Sequence, residues 1–389
     1  MLVALAAAGG CGAPGPELTF ADWILPLAED IPVREYAPIA IEDRDPDAVR
    51  LVEDLVIGGD PSDPNGSFYQ PMGVAASPSG DIFVLERGNR RIQMFDHDGT
   101  FLASLGGPGQ GPGELQFPVA IGIAGDRLVV HDGMNARLSF WTLDGTHVED
   151  HVPSTRFPAS GFEALPDGSL MISHGERNPD GSRTRIIERR SIQGEPLTRF
   201  LAVPGEPAPT APVAVSDRQA SLQQMLDLTS QPSPQLAVGK AGLVYITPLL
   251  EYQVLVFDDA GEPLWALRSA WPRPPYPESQ KQEMLEAYSQ DGAEIDADRL
   301  RWPELDRSVR AIRTDGEGRL YVFLSPGEAA PAGERFLVDV YSPDGELLAA
   351  GFTRSIWQHA VGDDVYELRR DPVLDEMVVV RYRLAIDER

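Results

Sequence analysis

Three residues stand where this chain could do chemistry. Glu86, Asp132 and His174 each close a short apolar run, Ile82-Phe83-Val84-Leu85, Leu128-Val129-Val130-His131 and Leu170-Met171-Ile172-Ser173. They occupy equivalent places in a repeated pattern. Two carboxylates and an imidazole brought to one place would suit a hard cation such as calcium, or an acid/base pair. Other chemical signals are weak. Gly107-Pro108-Gly109-Gln110-Gly111-Pro112-Gly113 is glycine-rich, but its prolines remove amide donors and no helix follows, so it is a poor phosphate cradle. Asp96-His97-Asp98-Gly99 opens like a calcium loop but lacks the distal Glu, and a hairpin turn accounts for it. The chain holds no Gly-x-Ser-x-Gly elbow and no His-Glu-x-x-His. Its one cysteine, Cys11, excludes an intrachain disulfide and a multi-cysteine metal site. No catalytic set and no cofactor are expected from these residues, and calcium is the ion they would suit.

The elements that must position them are strands. The chain has 389 residues, 42% of them hydrophobic, with 37 Gly and 35 Pro, enough for one large or two medium folded domains rich in turns. Against 33 Lys and Arg stand 60 Asp and Glu, a formal charge of −27. That charge repels phosphate backbones and excludes nucleic acid as a first guess. No apolar run reaches the roughly 18 residues that a spanning helix needs.

Six runs read as strands, being β-branched and aromatic and bounded by turn residues: 81–86, 127–132, 169–174, 242–247, 319–324 and 364–369. Each is preceded by an apolar segment and a tight turn and followed by a third strand, such as Arg91-Ile92-Gln93-Met94-Phe95. A turn then leads to a fourth, as at Asp98-Gly99-Thr100, Asp144-Gly145-Thr146 and Asp344-Gly345-Glu346, where glycine supplies positive φ. Where nothing interrupts it, the unit repeats every ~40–50 residues, the length of a four-stranded blade. Six such units predict an all-β, six-bladed propeller of antiparallel blades, because a small twisted sheet buries its faces only against neighbouring blades. The sixth unit ends after three strands, and 50–59 has the look of a fourth. The N-terminal segment is therefore expected to close the ring.

The first unit carries a family likeness. Gln70-Pro71-Met72-Gly73-Val74, Gly80-Asp81-Ile82-Phe83-Val84, Gly88-Asn89-Arg90-Arg91-Ile92-Gln93-Met94-Phe95-Asp96, and Gly109-Gln110-Gly111-Pro112-Gly113-Glu114-Leu115 with Phe117-Pro118 resemble an NHL-type repeat of a six-bladed propeller. The likeness is specific over roughly 66–153, recognisable in 158–204 and 235–270, and faint afterwards. It implies a second role for Glu86 and Asp132: each would tie its turn through the Asn and Arg of Gly88-Asn89-Arg90-Arg91 or Met134-Asn135-Ala136-Arg137. Related propeller enzymes place metal ligands around the axis at the starts of first strands. Here those positions, taken as about Met72, Val119, Ala159, Leu236, Val309 and Ser355, offer no carboxylate and histidine set, which argues against a calcium lactonase or a zinc lyase.

The larger insertions, 205–234, 271–308 and 325–334, all fall in connections of one face, together with a smaller one at 178–181. Loops grown on one side of a rigid scaffold carry binding, with drift the alternative. Ser216-Asp217-Arg218-Gln219 has capping-box spacing, with Leu222, Met225, Leu226 and Thr229 on one helical face. Pro277 to Tyr288 reads as a second helix with Met284, Leu285 and Tyr288 apolar. Both are expected as lids or rims, or as helices offered to a partner.

At the N-terminus a short apolar stretch ends in Ala8-Gly9-Gly10-Cys11, followed by Gly12-Ala13-Pro14-Gly15-Pro16. This resembles the end of a bacterial lipoprotein signal with Cys11 as the lipidated residue, although no Arg or Lys precedes the run. The expected organisation is a signal segment 1–11, a tether or extension 12–49, and a propeller 50–389. The expected function is a monomeric, lipid-anchored protein of the cell envelope, on its periplasmic or outer-surface side, that meets the membrane through that anchor. It would bind a protein, peptide or glycan on the insertion-bearing face. The alternatives are a hydrolase or lyase using Glu86, Asp132 and His174, and a structural envelope scaffold.

Overall fold

The computed structural model describes residues 31–387 apart from 61, 154–161, 180–182, 205–217, 230–233, 290–294 and 328–335. Strands form six antiparallel blades in a ring, each a four-stranded meander, with a fifth strand added to one of them. Blade I runs Pro71–Ala76, Ile82–Glu86, Arg91–Phe95 and Phe101–Gly106, strands A to D from the axis outward. The innermost strands of blades II to VI are Pro118–Ala124, Phe162–Ala164, Gln235–Val238, Val309–Thr314 and His359–Val361.

Second strands alternate their side chains between neighbours, which is what seals the ring. In blade I, Ile82 and Val84 pack with Tyr366 and Val379 of blade VI. Phe83 and Leu85 pack with Leu128 and Val130 of blade II. The same alternation recurs around the ring, so each interface is its own apolar core.

The closing strand is Val49–Gly58, antiparallel to Met377–Ile386 from Val49 opposite Ile386 to Gly58 opposite Val378. The Arg381 guanidinium donates to Asp54 at 3.0 Å, and Arg369 pairs with Glu53 at 2.9 Å. Ahead of this strand the chain is more than a tether. Val33–Tyr36 lies parallel to Pro263–Ser269 as a fifth strand on blade IV. Arg44 then reaches inward to Asp339 of blade V at 2.7 Å, with both side chains buried. Ala48 enters the core between blades V and VI. A four-residue edge strand carries too little pattern to be read from sequence, yet it covers the exposed edge of blade IV.

Helices α1 (Arg218–Thr229) and α2 (Glu278–Tyr288) come from two different insertions. The capping pair Ser216 and Asp217 lies outside the described residues, and Pro277 stands immediately ahead of α2. Leu222 and Leu226 of α1 are buried with Leu300, and Met225, Met284, Leu285 and Tyr288 pack around them. The two insertions thus share a small core of their own.

Candidate functional site

On the insertion-bearing face, Glu86, Asp132 and His174 keep the equivalence read from sequence, and all three are buried. Each is held within its own blade. The Glu86 carboxylate accepts from the Tyr69 amide (2.9 Å), Asn89 Nδ2 (2.6 Å) and Arg91 Nε (2.6 Å). Asp132 accepts from the amides of Gln116 (2.7 Å) and Phe117 (2.8 Å) and from Asn135 Nδ2 (2.7 Å). The Arg expected to complete this second tie turns elsewhere: Arg137 pairs with Asp150 at 3.1 Å and donates to the carbonyls of Gly111 and Glu114. The reason is local, since Asp132 is already bonded by the Gln116 and Phe117 amides and by Asn135, and the 107–116 loop presents carbonyl oxygens beside the guanidinium. His174 Nε2 meets Glu188 Oε1 at 2.7 Å, and Arg190 Nε donates to the same oxygen at 2.6 Å. Burial alone would raise Glu188, but the hydrogen bonds from Arg190 and His174 outweigh it and hold the carboxyl below its ordinary range. The three are not joined in one constellation, and among the described residues no group of three or more His, Cys, Asp or Glu comes together as a metal site. Cys11 lies outside the described residues.

The same face presents apolar side chains to water. Met134 is 63% exposed, Tyr69 59% and Val373 87%, with Phe117 and Leu374 also exposed. All sit in B–C or D–A connections of blades VI, I and II. Among the described residues, none of the exposed large apolar side chains lies in a turn of the opposite face. Beside blade V the helical insertions rise from this face, tied together by Gln219 to Asp296, Gln223 to Arg301 and the Arg218 guanidinium to the Tyr288 carbonyl. Gln280 of α2 accepts from Arg310 at 3.0 Å, which fastens the pair to the first strand of blade V.

A channel of about 880 Å³ runs along the axis, lined by the innermost strands of all six blades and opening among the A–B turns, on the face away from the insertions. Strand registers define its levels. Ala75, Gly122, Glu163, Ala237, Arg313 and His359 lie opposite Phe83, Val129, Met171, Tyr245, Tyr321 and Tyr366, equivalent residues of the six second strands. Three blades thus give this level Ala, Gly and Ala, and three give Glu, Arg and His. A Cβ on Gly122 would come within 2.8 Å of the Ala164 Cβ, so that position admits no side chain without a shift.

Each polar residue reaches forward to the next blade. Arg313 Nε donates to the Trp357 carbonyl (2.8 Å) and Nη1 to that of Ile312 (2.7 Å). His359 Nε2 meets the Ala76 carbonyl at 3.2 Å and so acts as the donor. Burial pushes the Glu163 carboxyl up to about 7, against the opposing pull of the Arg313 guanidinium and the Val238 amide. Burial also depresses Arg313, with Glu163 acting the other way, and depresses His359 against the pull of the Ala76 carbonyl.

Sequence reasoning missed this level. The first strands of blades III and VI begin at Phe162 and His359, a few residues after the expected axial positions 159 and 355, and Arg313 lies near the end of its strand rather than at Val309. Charged residues just before an A–B turn, aligned on the more regular second strands, were the available signal.

No family model matches the chain. A segment of 86 residues is 30% identical to Protein brain tumor of Drosophila melanogaster, which is 21% of this chain and 8% of that protein. Two of the solved structures that share the fold come from Bacteroides. One is a protein of Bacteroides fragilis assigned as exported, at 10% identity and a TM-score of 0.52, covering 92% of this chain and all of that one. The other is a DUF4221 member from Bacteroides vulgatus, at 13% identity and a TM-score of 0.52, covering 89% of this chain and all of that one.

Proposed function

We propose that this chain is an extracytoplasmic propeller with NHL-type repeats, anchored through lipid on Cys11, that binds a protein, peptide or glycan on its insertion-bearing face. One observation carries the reading: the exposed apolar side chains of blades VI, I and II gather on that face while the turns of the other face present none among the described residues. Uncovered apolar area of this kind is recovered when a partner seats on it. Aromatic Tyr69 and Phe117, the latter under the Arg87 guanidinium at 5.1 Å, suit a peptide or a sugar ring. The paired helices add a rim. Export of the Bacteroides fragilis relative supports the location. A hydrolase or lyase built on Glu86, Asp132 and His174 is disfavoured, because each of these groups is buried and already bonded inside its own blade.

Photo-crosslinking tests the face. A crosslinker replacing Met134 or Tyr69 should capture a discrete partner in the native envelope, and one replacing Asp98 or Asp344 should not; the reverse pattern overturns the reading. For the anchor, Cys11→Ser should leave the membrane fraction, and equal membrane association of mutant and parent would refute lipidation.

A further inference from the structure

The axial channel belongs to neither the insertion face nor the partner surface just proposed. We propose that it is a second binding site, for a small organic carboxylate with a compact apolar body, whose carboxylate seats against Arg313 at the level of Glu163 and His359. Room comes first: about 880 Å³ lies within the range of small-molecule sites. At this level Gly122 and Ala237 line the channel with no side chain and a single methyl.

Charge comes next. The Arg313 guanidinium is oriented by two carbonyl oxygens, and its Nη2 has no hydrogen-bond partner among the described residues. No carboxylate lies within ion-pair distance of it among those residues. Glu163 faces it across blade IV, but near neutral pH that carboxyl keeps much of its proton and serves as a donor rather than a counter-ion. His359 faces the level as a neutral ring. At the mouth Asp167 is paired with Arg189 at 2.8 Å, Asp315 with Arg319 at 2.7 Å and Lys240 with Glu317 at 3.6 Å, and the Asp259 carboxylate lies beside them. The charge left unanswered inside is one cation, beside a carboxylic acid able to donate. A monocarboxylate satisfies both.

A cationic ligand would sit against Arg313, and inorganic phosphate has no apolar body to cover the walls. The apolar body follows from the walls: Val74, Ile121, Phe162 and Leu236 lie below this level, and Ala76, Ile123, Val238 and Ala360 on its mouth side.

Calorimetric titration of the full chain with hexanoate and with benzoate at pH 6 tests the site, with hexanamide and inorganic phosphate as controls. Saturable one-to-one binding of a carboxylate in the millimolar range or tighter is expected, at least tenfold stronger than either control. Arg313→Gln should weaken it tenfold or more. Ala360→Leu, at a partly exposed position of the wall, should block it without removing a charge. Should Arg313→Gln fail to fold, Glu163→Gln decides. In the parent, ionisation of Glu163 repels the ligand, so affinity falls between pH 6 and 8. In Glu163→Gln binding persists within about threefold and that fall disappears. The proposal is overturned if neither carboxylate binds, if amide or phosphate binds as well, if Arg313→Gln and Ala360→Leu both bind like the parent, or if Glu163→Gln keeps the parent's pH profile.

Discussion

The two ends of the blades treat buried polar groups in opposite ways. At the B–C turns of blades I and II, Glu86 is enclosed by three donors and Asp132 by four, and the turn they hold is the product. At the axial level, Glu163, Arg313 and His359 are each fastened on one side to the next blade and open on the other to a channel. A polar group satisfied on all sides is structural, whereas one held in orientation and left partly unmatched is poised to meet something else. Residue type alone does not separate the cases. The number of protein partners does.

Removing the closing strand breaks both ends at once. A chain starting at Asp60 leaves Met377–Ile386 as an edge strand, paired only with Asp364–Arg370, and opens the interface of blades VI and I. Its thermal midpoint should fall sharply or its cooperative transition vanish, and melting like the parent would show that the ring closes by another route.

Next in size is Glu86→Ala. It strips three donors of their acceptor in a buried turn and should cost about 3 kcal/mol in denaturant unfolding. A loss under about 1 kcal/mol would remove the contrast between the enclosed and the open groups.

Glu163→Gln should act the other way, and only at high pH. The folded carboxyl holds its proton up to about pH 7, and the unfolded one releases it near its ordinary 4.5. Folding therefore takes up a proton between those values, so Glu163 lowers stability as pH rises through that window, with the full loss above about 7. The variant should match the parent near pH 4 and melt higher than it at pH 8. Equal midpoints at pH 8 would mean that the carboxyl is not desolvated in the channel.

The smallest effect belongs to the exposed hairpin turns. Asp344→Asn should change stability by less than about 0.5 kcal/mol and leave partner capture on the other face intact. Loss of capture would move the working surface to the turn face.

Much of this protein is written locally. The second strands are β-branched runs after turn glycines, so the six units, the turn at Gly99 with φ +82° and the closing strand at 50–59 were all legible. Helix α2 was legible too, within one residue, because Pro277 fixes where it starts. The strand Val33–Tyr36 was not, since four residues with one charged pair show no period and its partner is far along the chain. The turn role of Glu86 was legible through its neighbours Asn89 and Arg91. The departure of Arg137 to Asp150 was not, because Asp150 belongs to the outer strand of blade II.

What the sequence determined by itself is the repeat: which residues become strands, how many blades there are, and that the last blade must borrow a strand. What only the tertiary structure decided is the level at which the short innermost strands stand against one another. Phe162–Ala164 and His359–Val361 are three residues each and carry no pattern of their own. Their register comes from hydrogen bonds to the second strands and from the packing of each blade on the next. Only when the ring closes do Glu163, Arg313 and His359, remote in the chain and unremarkable singly, come to face one channel.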